Sequence, residues 1–264
     1  MQKKESEKFS NSELFEGMSS ISALIKAIDN ADSLNDRKIL RILIDKTKKD
    51  SKKREIAFLN LKAKELGFQI DFVESTVIDQ KTVGQTHGGI IAECSERNIP
   101  SLSTDNIKEN GIYYFLEGVE DPYNFGYAVR SLYASGADGI ILSPRNWMGA
   151  AGVVARSSAG TSELIDLYIS EATEAVNVFK KRGYNVICAG IRDSESIYDA
   201  DLKKPLFVIL GGEKRGISSK VIENADKIVR IDYGNNFGGS LSTAAAAAVF
   251  GFEILRQNKN SSNK

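Results

Sequence analysis

Histidine is nearly absent from this chain: His87 is the single one in 264 residues. Imidazole-based catalysis and metal centres built from histidine and cysteine are therefore not expected, and His87 itself reads as a structural group. Cysteine is almost as scarce. Cys94 and Cys188 stand far apart in apolar, strand-like runs, which suits buried thiols in a reducing cytoplasm rather than a disulfide framework. No run approaches the ~18 consecutive apolar residues that a membrane span requires. The polar, acid-bearing start MQKKESEKFSNSE lacks the apolar core of a secretory signal. There is no excess of either charge, because 35 basic residues face 35 acidic ones. The balance is also local, with 17 of each sign in residues 1–105 and 18 of each in 106–264. A nucleic-acid partner would have to be held by local patches rather than by a global field. The one visible patch is Lys46, Lys48, Lys49, Lys52, Lys53 and Arg54, a run that is ordinarily a solvated loop or helix start and that RNA contact is the alternative for.

What is present is the composition of a globular protein with a core: 42% hydrophobic and 27% charged residues. Two α/β units are expected, a smaller one over 13–98 and a larger one over 112–257. Arg97–Gly111, with Pro100 and several Ser and Asn residues, carries the linker, placed at 99–111. Residues 1–12 and the tail Gln257–Lys264 read as disordered. In the first unit Leu14, Met18, Ile21, Leu24, Ile25 and Ile28 recur at helical spacing, and Lys52–Leu66 has the same period. Ile39–Ile44, Gln69–Val73 and Gly89–Cys94 read as strands. In the second unit apolar runs at Tyr114–Val119, Gly139–Ser143, Leu164–Ile169, Tyr184–Ala189, Leu206–Leu210 and Ile228–Asp232 alternate with helical stretches. Such runs predict a parallel sheet covered on both faces. The last helix, Leu241 to about Arg256, is apolar almost all round, which predicts burial on every side and suggests a second subunit.

Open α/β sheets bind ligands at the carboxyl ends of their strands, and three loops there stand out. In EGVEDPYNFGYAVR (117–130) a turn at Asp121-Pro122 precedes a helix, opened by Gly126, that carries Arg130; the plain alternative makes Asn124 a helix cap. In FVILGGEKRGIS (207–218) a buried strand ends in glycines. Gly211 and Gly216 have Walker A spacing, but position 217 is Ile where a phosphate-binding lysine is needed. The glycines at 211, 212 and 216 also fail the dinucleotide fingerprint G-x-G-x-x-G. A close backbone approach to a flat ligand remains, with Glu213 at the strand's end. In IVRIDYGNNFGGSLSTA (228–244) a strand enters a long Gly/Asn-rich loop before the last helix, whose Ser and Thr are first of all caps.

In this order the three segments resemble the motifs of the SpoU/TrmH family of SPOUT methyltransferases. D-P-x-N-x-G-x-x-x-R matches Asp121, Pro122, Asn124, Gly126 and Arg130. Strand-G-x-E-x-x-G matches Gly211, Glu213 and Gly216. S-L-N-x-S matches Ser240 and Leu241, but Ser242 stands where the family has asparagine. Ser157–Glu163 is similar to the family's small-residue segment between motifs. Glu16-Gly17 and His87-Gly88-Gly89 resemble positions of its RNA-recognition domain, so the likeness spans roughly 13–256.

The resemblance implies an α/β fold with a deep trefoil knot in the C-terminal parallel sheet, preceded by a smaller α/β RNA-recognition domain. It implies S-adenosylmethionine as methyl donor, gripped around Leu210, Gly211, Gly216, Ile231, Ser240 and Leu241, with glycine at 211 for close approach. The implied acceptor is a ribose 2′-hydroxyl of structured RNA, ribosomal rather than transfer RNA by analogy of layout. The implied assembly is a cytoplasmic homodimer through the C-terminal helix, without metal or membrane. Asn124, Arg130, Glu213 and Ser242 are the candidate catalytic residues. A guanidinium stays protonated above pH ~12, so Arg130 is better read as a phosphate clamp that stabilises the oxyanion than as a base. Glu213 would orient it, and Asn124 and Ser242 would hold the ribose. Trp147 is a candidate for base stacking, with packing as its alternative. A second reading follows from Ser242: an RNA-binding or ribosome-associated protein that keeps the fold and has lost the chemistry.

Overall fold

The computed structural model describes residues 14–82, 87–119, 121–145, 147–212 and 216–259. The chain divides into two compact units, Met1–Asn98 with Trp147–Leu164, and Ile99–Asn146 with Ile165–Lys264. The expected disorder of residues 1–12 falls outside the described residues.

The first unit contains β1 (Leu14–Glu16), α1 (Gly17–Asp29), β2 (Ile39–Asp45), α2 (Lys53–Leu66), β3 (Gln69–Val73), α3 (Ser75–Lys81) and β4 (Ile90–Cys94). Its sheet runs β1-β4-β2-β3. β2 and β3 are parallel, and β4 is antiparallel to both β1 and β2. Ile21, Leu24 and Ile25 of α1 lie on one face by helical periodicity and pack on Ile42, Ile44, Ile90 and Ala92 of the sheet. The helix expected from Leu14 onward begins only at Gly17. Glu16 is extended (φ −99°, ψ 127°) and Gly17 takes φ +79°, so residues 14–16 leave the helical path and pair with β4. α2 stops at Gly67, which adopts the left-handed conformation at φ +78°.

In the structure the segment Trp147–Leu164, which follows β6 in the chain, groups with the compact first unit. The helix Ala151–Ser157 places Ala151 and Ala155 in the same core as Phe15. A Cβ at Gly152 would lie 2.1 Å from the Leu14 carbonyl oxygen, so only glycine lets the two backbones touch. Glu163, at the end of the segment resembling the family's small-residue stretch, is fully buried against Arg37, 3.1 Å away. It also accepts from the Asn35 amide at 2.8 Å. Sequence reading missed this because the partners lie more than a hundred positions apart.

The second unit contains β5 (Ile112–Glu117), α4 (Pro122–Ala134), β6 (Gly139–Leu142), β7 (Asp166–Ile169), α5 (Ala172–Lys181), β8 (Asn185–Ala189), β9 (Glu195–Ser196), β10 (Leu206–Gly211), α6 (Ser219–Ile222), β11 (Lys227–Arg230) and α7 (Thr243–Lys259). All seven strands are parallel, in the order β7-β6-β5-β10-β8-β11-β9. β10 lies between β5 and β8, and its residues Leu206 to Leu210 are all buried, as its unbroken apolar run requires. Tyr113, Phe179, Tyr184 and Phe207 form an aromatic core on one face, with Phe179 and Phe207 stacked at 4.1 Å. The segment expected as a linker is not free chain: Leu102 donates its backbone N–H to the Ile169 carbonyl, beside β7.

α7 packs against α4 so closely that a Cβ at Gly251 would lie 2.3 Å from the Ser135 hydroxyl. Within one chain only a stripe of it is buried: Thr243, Ala247, Phe250, Gly251, Glu253 and Ile254. Phe252 is 51% exposed, so the all-round burial expected of this helix is not achieved by the single chain. The helix also continues through Gln257–Lys259, where a disordered tail was expected. Gln257 and Asn258 hold it there by hydrogen bonds to Ala200 and Leu202.

Candidate active site

The carboxyl ends of β8, β10 and β11 open into a cavity of about 400 Å³. Its walls come from three loops: Ala189 to Arg192 after β8, Leu210 to Gly212 with Gly216 and Ile217 at the β10 glycines, and Val229 to Ile231 with Tyr233, Ser240 and Leu241 after β11. Ala246 and Phe250 of α7 complete it. The site is built by ties between loops. The Thr243 hydroxyl donates to the Gly211 carbonyl at 3.0 Å, fixing the start of α7 to the end of β10. The Leu241 N–H donates to the Tyr233 hydroxyl at 3.2 Å, which closes the long loop on itself. Glu117, at the end of β5, takes the Gly212 N–H on its carbonyl and the Ser218 N–H on its carboxylate at 3.3 Å.

The glycines are needed for these ties. A Cβ at Gly212 would lie 2.0 Å from the Gly118 carbonyl oxygen, and one at Gly211 would lie 2.8 Å from the Gly216 carbonyl carbon. The close approach at 211 is thus first an approach of the chain's own loop, a reason for glycine different from the expected contact with a ligand.

All six positions named from the sequence as donor-binding, Leu210, Gly211, Gly216, Ile231, Ser240 and Leu241, line this cavity. Asn124, Arg130 and Ser242 are not among its lining residues, and Glu213 lies outside the described residues. α4 starts at Pro122, earlier than the Gly126 opening expected. Its cap is Asp121, whose carboxylate accepts the Tyr123 N–H at 2.8 Å; Asn124 therefore sits inside the first turn, half-buried, and is not the cap. Arg130 is exposed on the face of α4 opposite buried Val129 and Leu132. Ser242 precedes α7, and its hydroxyl accepts the Ala245 N–H at 3.3 Å, the capping role open to a serine there.

Glu117 and Tyr233 are not singled out by the sequence, and Thr243 reads there only as a helix cap. Their only signal was adjacency to strand ends, which does not say which side chain turns inward. Two arginines line the cavity, Arg192 and Arg230. Arg230 is paired with Asp232 at 2.8 Å and donates to the Ser194 carbonyl. A hydrogen bond from Ser196, together with Arg230, holds the Asp232 carboxyl below its usual range. Cys188, near the end of β8, has its thiol pushed up to about 12 by burial, with the Glu117 charge adding to the effect, so it is no nucleophile at neutral pH. His87 accepts the Gly89 N–H on Nδ1 at 3.1 Å and points Nε2 toward Asp79 at 3.5 Å, a structural role in the first unit. The Trp147 side chain lies outside the described residues.

Comparison with known proteins is consistent over both units. A model of the SpoU rRNA methylase family matches residues 111–252, and one described as RNA 2′-O ribose methyltransferase substrate binding matches 16–100. The chain is 29% identical over 206 residues to the 23S rRNA (guanosine-2′-O-)-methyltransferase RlmB of Shewanella oneidensis, covering 75% of this chain and 82% of that protein. It is 25% identical over 229 residues to a putative TrmH family tRNA/rRNA methyltransferase, YacO, of Bacillus subtilis, covering 84% and 90%. Among solved structures, an RNA 2′-O ribose methyltransferase superposes with a TM-score of 0.75 at 20% identity, over 92% of this chain and 88% of that one. An AdoMet-bound rRNA methyltransferase from Sinorhizobium meliloti superposes with a TM-score of 0.73 at 22% identity, over 92% and 86%. At these identities the superpositions speak for the fold.

Proposed function

Because the chain belongs to the SpoU rRNA methylase family, we propose that it transfers a methyl group from S-adenosylmethionine to a ribose 2′-hydroxyl of ribosomal RNA. The observation that carries this reading is the meeting of three separate loops around one cavity at the carboxyl ends of parallel strands. Transfer RNA is the alternative substrate. The relatives favour ribosomal RNA, since RlmB of Shewanella oneidensis is named for 23S rRNA.

The cavity suits the donor. Its volume of about 400 Å³ falls in the range of small-molecule sites, and Leu210, Ile217, Ile231, Leu241 and Phe250 offer apolar walls to a flat heteroaromatic ring. Among the described residues, none that lines the cavity is acidic. When bound, the donor supplies a methyl group activated on a sulfonium.

The chain's own residues must hold the ribose in line, help release its proton and exclude water. Arg130 clamps an RNA phosphate and stabilises the developing oxyanion. Glu213 orients that guanidinium. Asn124 and Ser242 hold the ribose; a hydroxyl that accepts the Ala245 N–H can still donate its own proton outward. Since Arg130 faces away from its own unit's core, we place a second copy against the α4–α7 face, where Tyr127 and Phe252 are 48% and 51% exposed. Homodimerisation there would bring Arg130 to the partner's cavity and complete the burial of α7. We also infer a trefoil knot in the second unit, in keeping with a strand order that places β10 between β5 and β8. The two buried free thiols suit the cytoplasm.

The test is transfer of label from methyl-tritiated S-adenosylmethionine to ribosomal RNA, with the product identified as a 2′-O-methylnucleotide by mass spectrometry. Arg130→Ala is expected to lower the rate at least ~100-fold and to leave donor affinity within about twofold by calorimetry. Retention of most activity overturns the role of Arg130. Base methylation overturns the reaction. The capping engagement of Ser242 favours one rival, an RNA-binding protein without the chemistry, and binding of RNA and donor with no transfer would establish it.

A further inference from the structure

The methyl-transfer reading above leaves one charge at the cavity unexplained. Arg192 lines the cavity from the loop after β8, is exposed, and among the described residues has no carboxylate at ion-pair distance. Its counterpart Arg230 is neutralised by Asp232. Among the described residues, every other one lining the cavity is uncharged. Among the described residues, the cavity therefore presents one positive charge without an ion-pair partner, beside apolar walls.

From this we propose that Arg192 is a specificity residue that receives the carboxylate of the methyl donor's amino-acid moiety. The proposal rests on the donor reading and extends it. Of the groups on S-adenosylmethionine, the carboxylate alone is anionic, while the sulfonium and ammonium are cationic. A guanidinium binds a carboxylate in a two-point fork and repels both cations, so it orients the donor as well as holding it. The neighbouring backbone is suited to present the side chain. Asp193 takes φ +50°, a conformation uncommon for a non-glycine residue, and the loop is tied down where the Ser194 hydroxyl donates to the Ile191 carbonyl at 2.7 Å. Arg230 in turn binds the Ser194 carbonyl. Arg192 thus projects from a braced loop, and its exposure means that substitution leaves the core intact.

The test is calorimetric titration of the full chain with S-adenosylmethionine and with decarboxylated S-adenosylmethionine, which lacks only the carboxylate. Wild-type protein is expected to bind the intact donor about tenfold more tightly than the decarboxylated one. Arg192→Gln should remove that preference while leaving affinity for the decarboxylated donor equal or slightly higher, because repulsion of the cations is relieved. Arg192→Lys should keep part of the preference. Unfolding curves verify that the variants stay folded. Equal loss of both ligands in Arg192→Gln, or an unchanged preference, overturns the proposal and leaves the donor reading standing. If wild type binds neither ligand, the donor reading falls, and the proposal with it. A third titration uses ribosomal RNA without donor. Weakened RNA binding in Arg192→Gln, with donor preference unchanged, would assign the arginine to phosphate and also overturn the proposal.

Discussion

Two loops at strand ends hold their cations in opposite ways. The loop after β2 holds the densest run of positive charge in the chain, yet its cations are largely satisfied at home. Lys46 pairs with Glu74 at 2.8 Å, Lys52 with Glu55 at 2.9 Å and Lys53 with Asp50 at 3.1 Å, while Lys49 lies over the Phe72 ring. The loop after β8 holds a single arginine of the cavity wall, and among the described residues no carboxylate pairs with it. Charge density along a sequence therefore says little about where a ligand goes. The spatial balance of each charge against its neighbours says more.

The same contrast separates the two units' polar interiors, and three substitutions press on it. The largest effect is expected in the first unit. Arg37→Met strands Glu163, whose side chain is 0% exposed, and should cost about 3–5 kcal/mol in chemical denaturation. Donor affinity of the folded fraction should not change. A cost below ~1 kcal/mol would show that the buried pair is not structural. An intermediate effect is expected at the cavity, where Gly212→Ala forces a Cβ against the Gly118 carbonyl 2.0 Å away. It should destabilise by about 1–3 kcal/mol and, unlike Arg37→Met, weaken S-adenosylmethionine binding by at least ~tenfold in titration. Unchanged donor affinity would uncouple the glycine ties from the cavity. The smallest effect belongs to the lysine loop. Lys46→Ala with Lys53→Ala removes two well-exposed pairs and should shift stability by no more than about 0.5 kcal/mol. A larger loss would mean that the loop's ion pairs are structural after all.

Strands β2, β3, β4, β6, β8 and β10 were legible to within a residue or two because buried strands must be apolar and lie between polar turns. The seven-residue helix α3 was not, since STVIDQK buries only Ile78 and carries no periodic stripe. The short β9 passed unnoticed for a similar reason, with two residues and no apolar run. Around the cavity, Gly211 and Leu241 could be named because they follow long apolar runs or precede a helix. Glu117 and Tyr233 could not. Each acts through hydrogen bonds to residues far from it in sequence or across a loop, and no local pattern encodes such bonds.

Alternation of apolar runs with amphipathic stretches was enough to determine two α/β units, a parallel sheet in the second and the loops at its strand ends, because backbone hydrogen bonding and burial impose those periods locally. The assignment of 147–164 to the first unit, the engagement of Ser242 as a cap and the free charge of Arg192 were decided only in three dimensions. Each depends on which distant groups come within a few ångströms, and that is set by packing of the whole chain rather than by any window of its sequence.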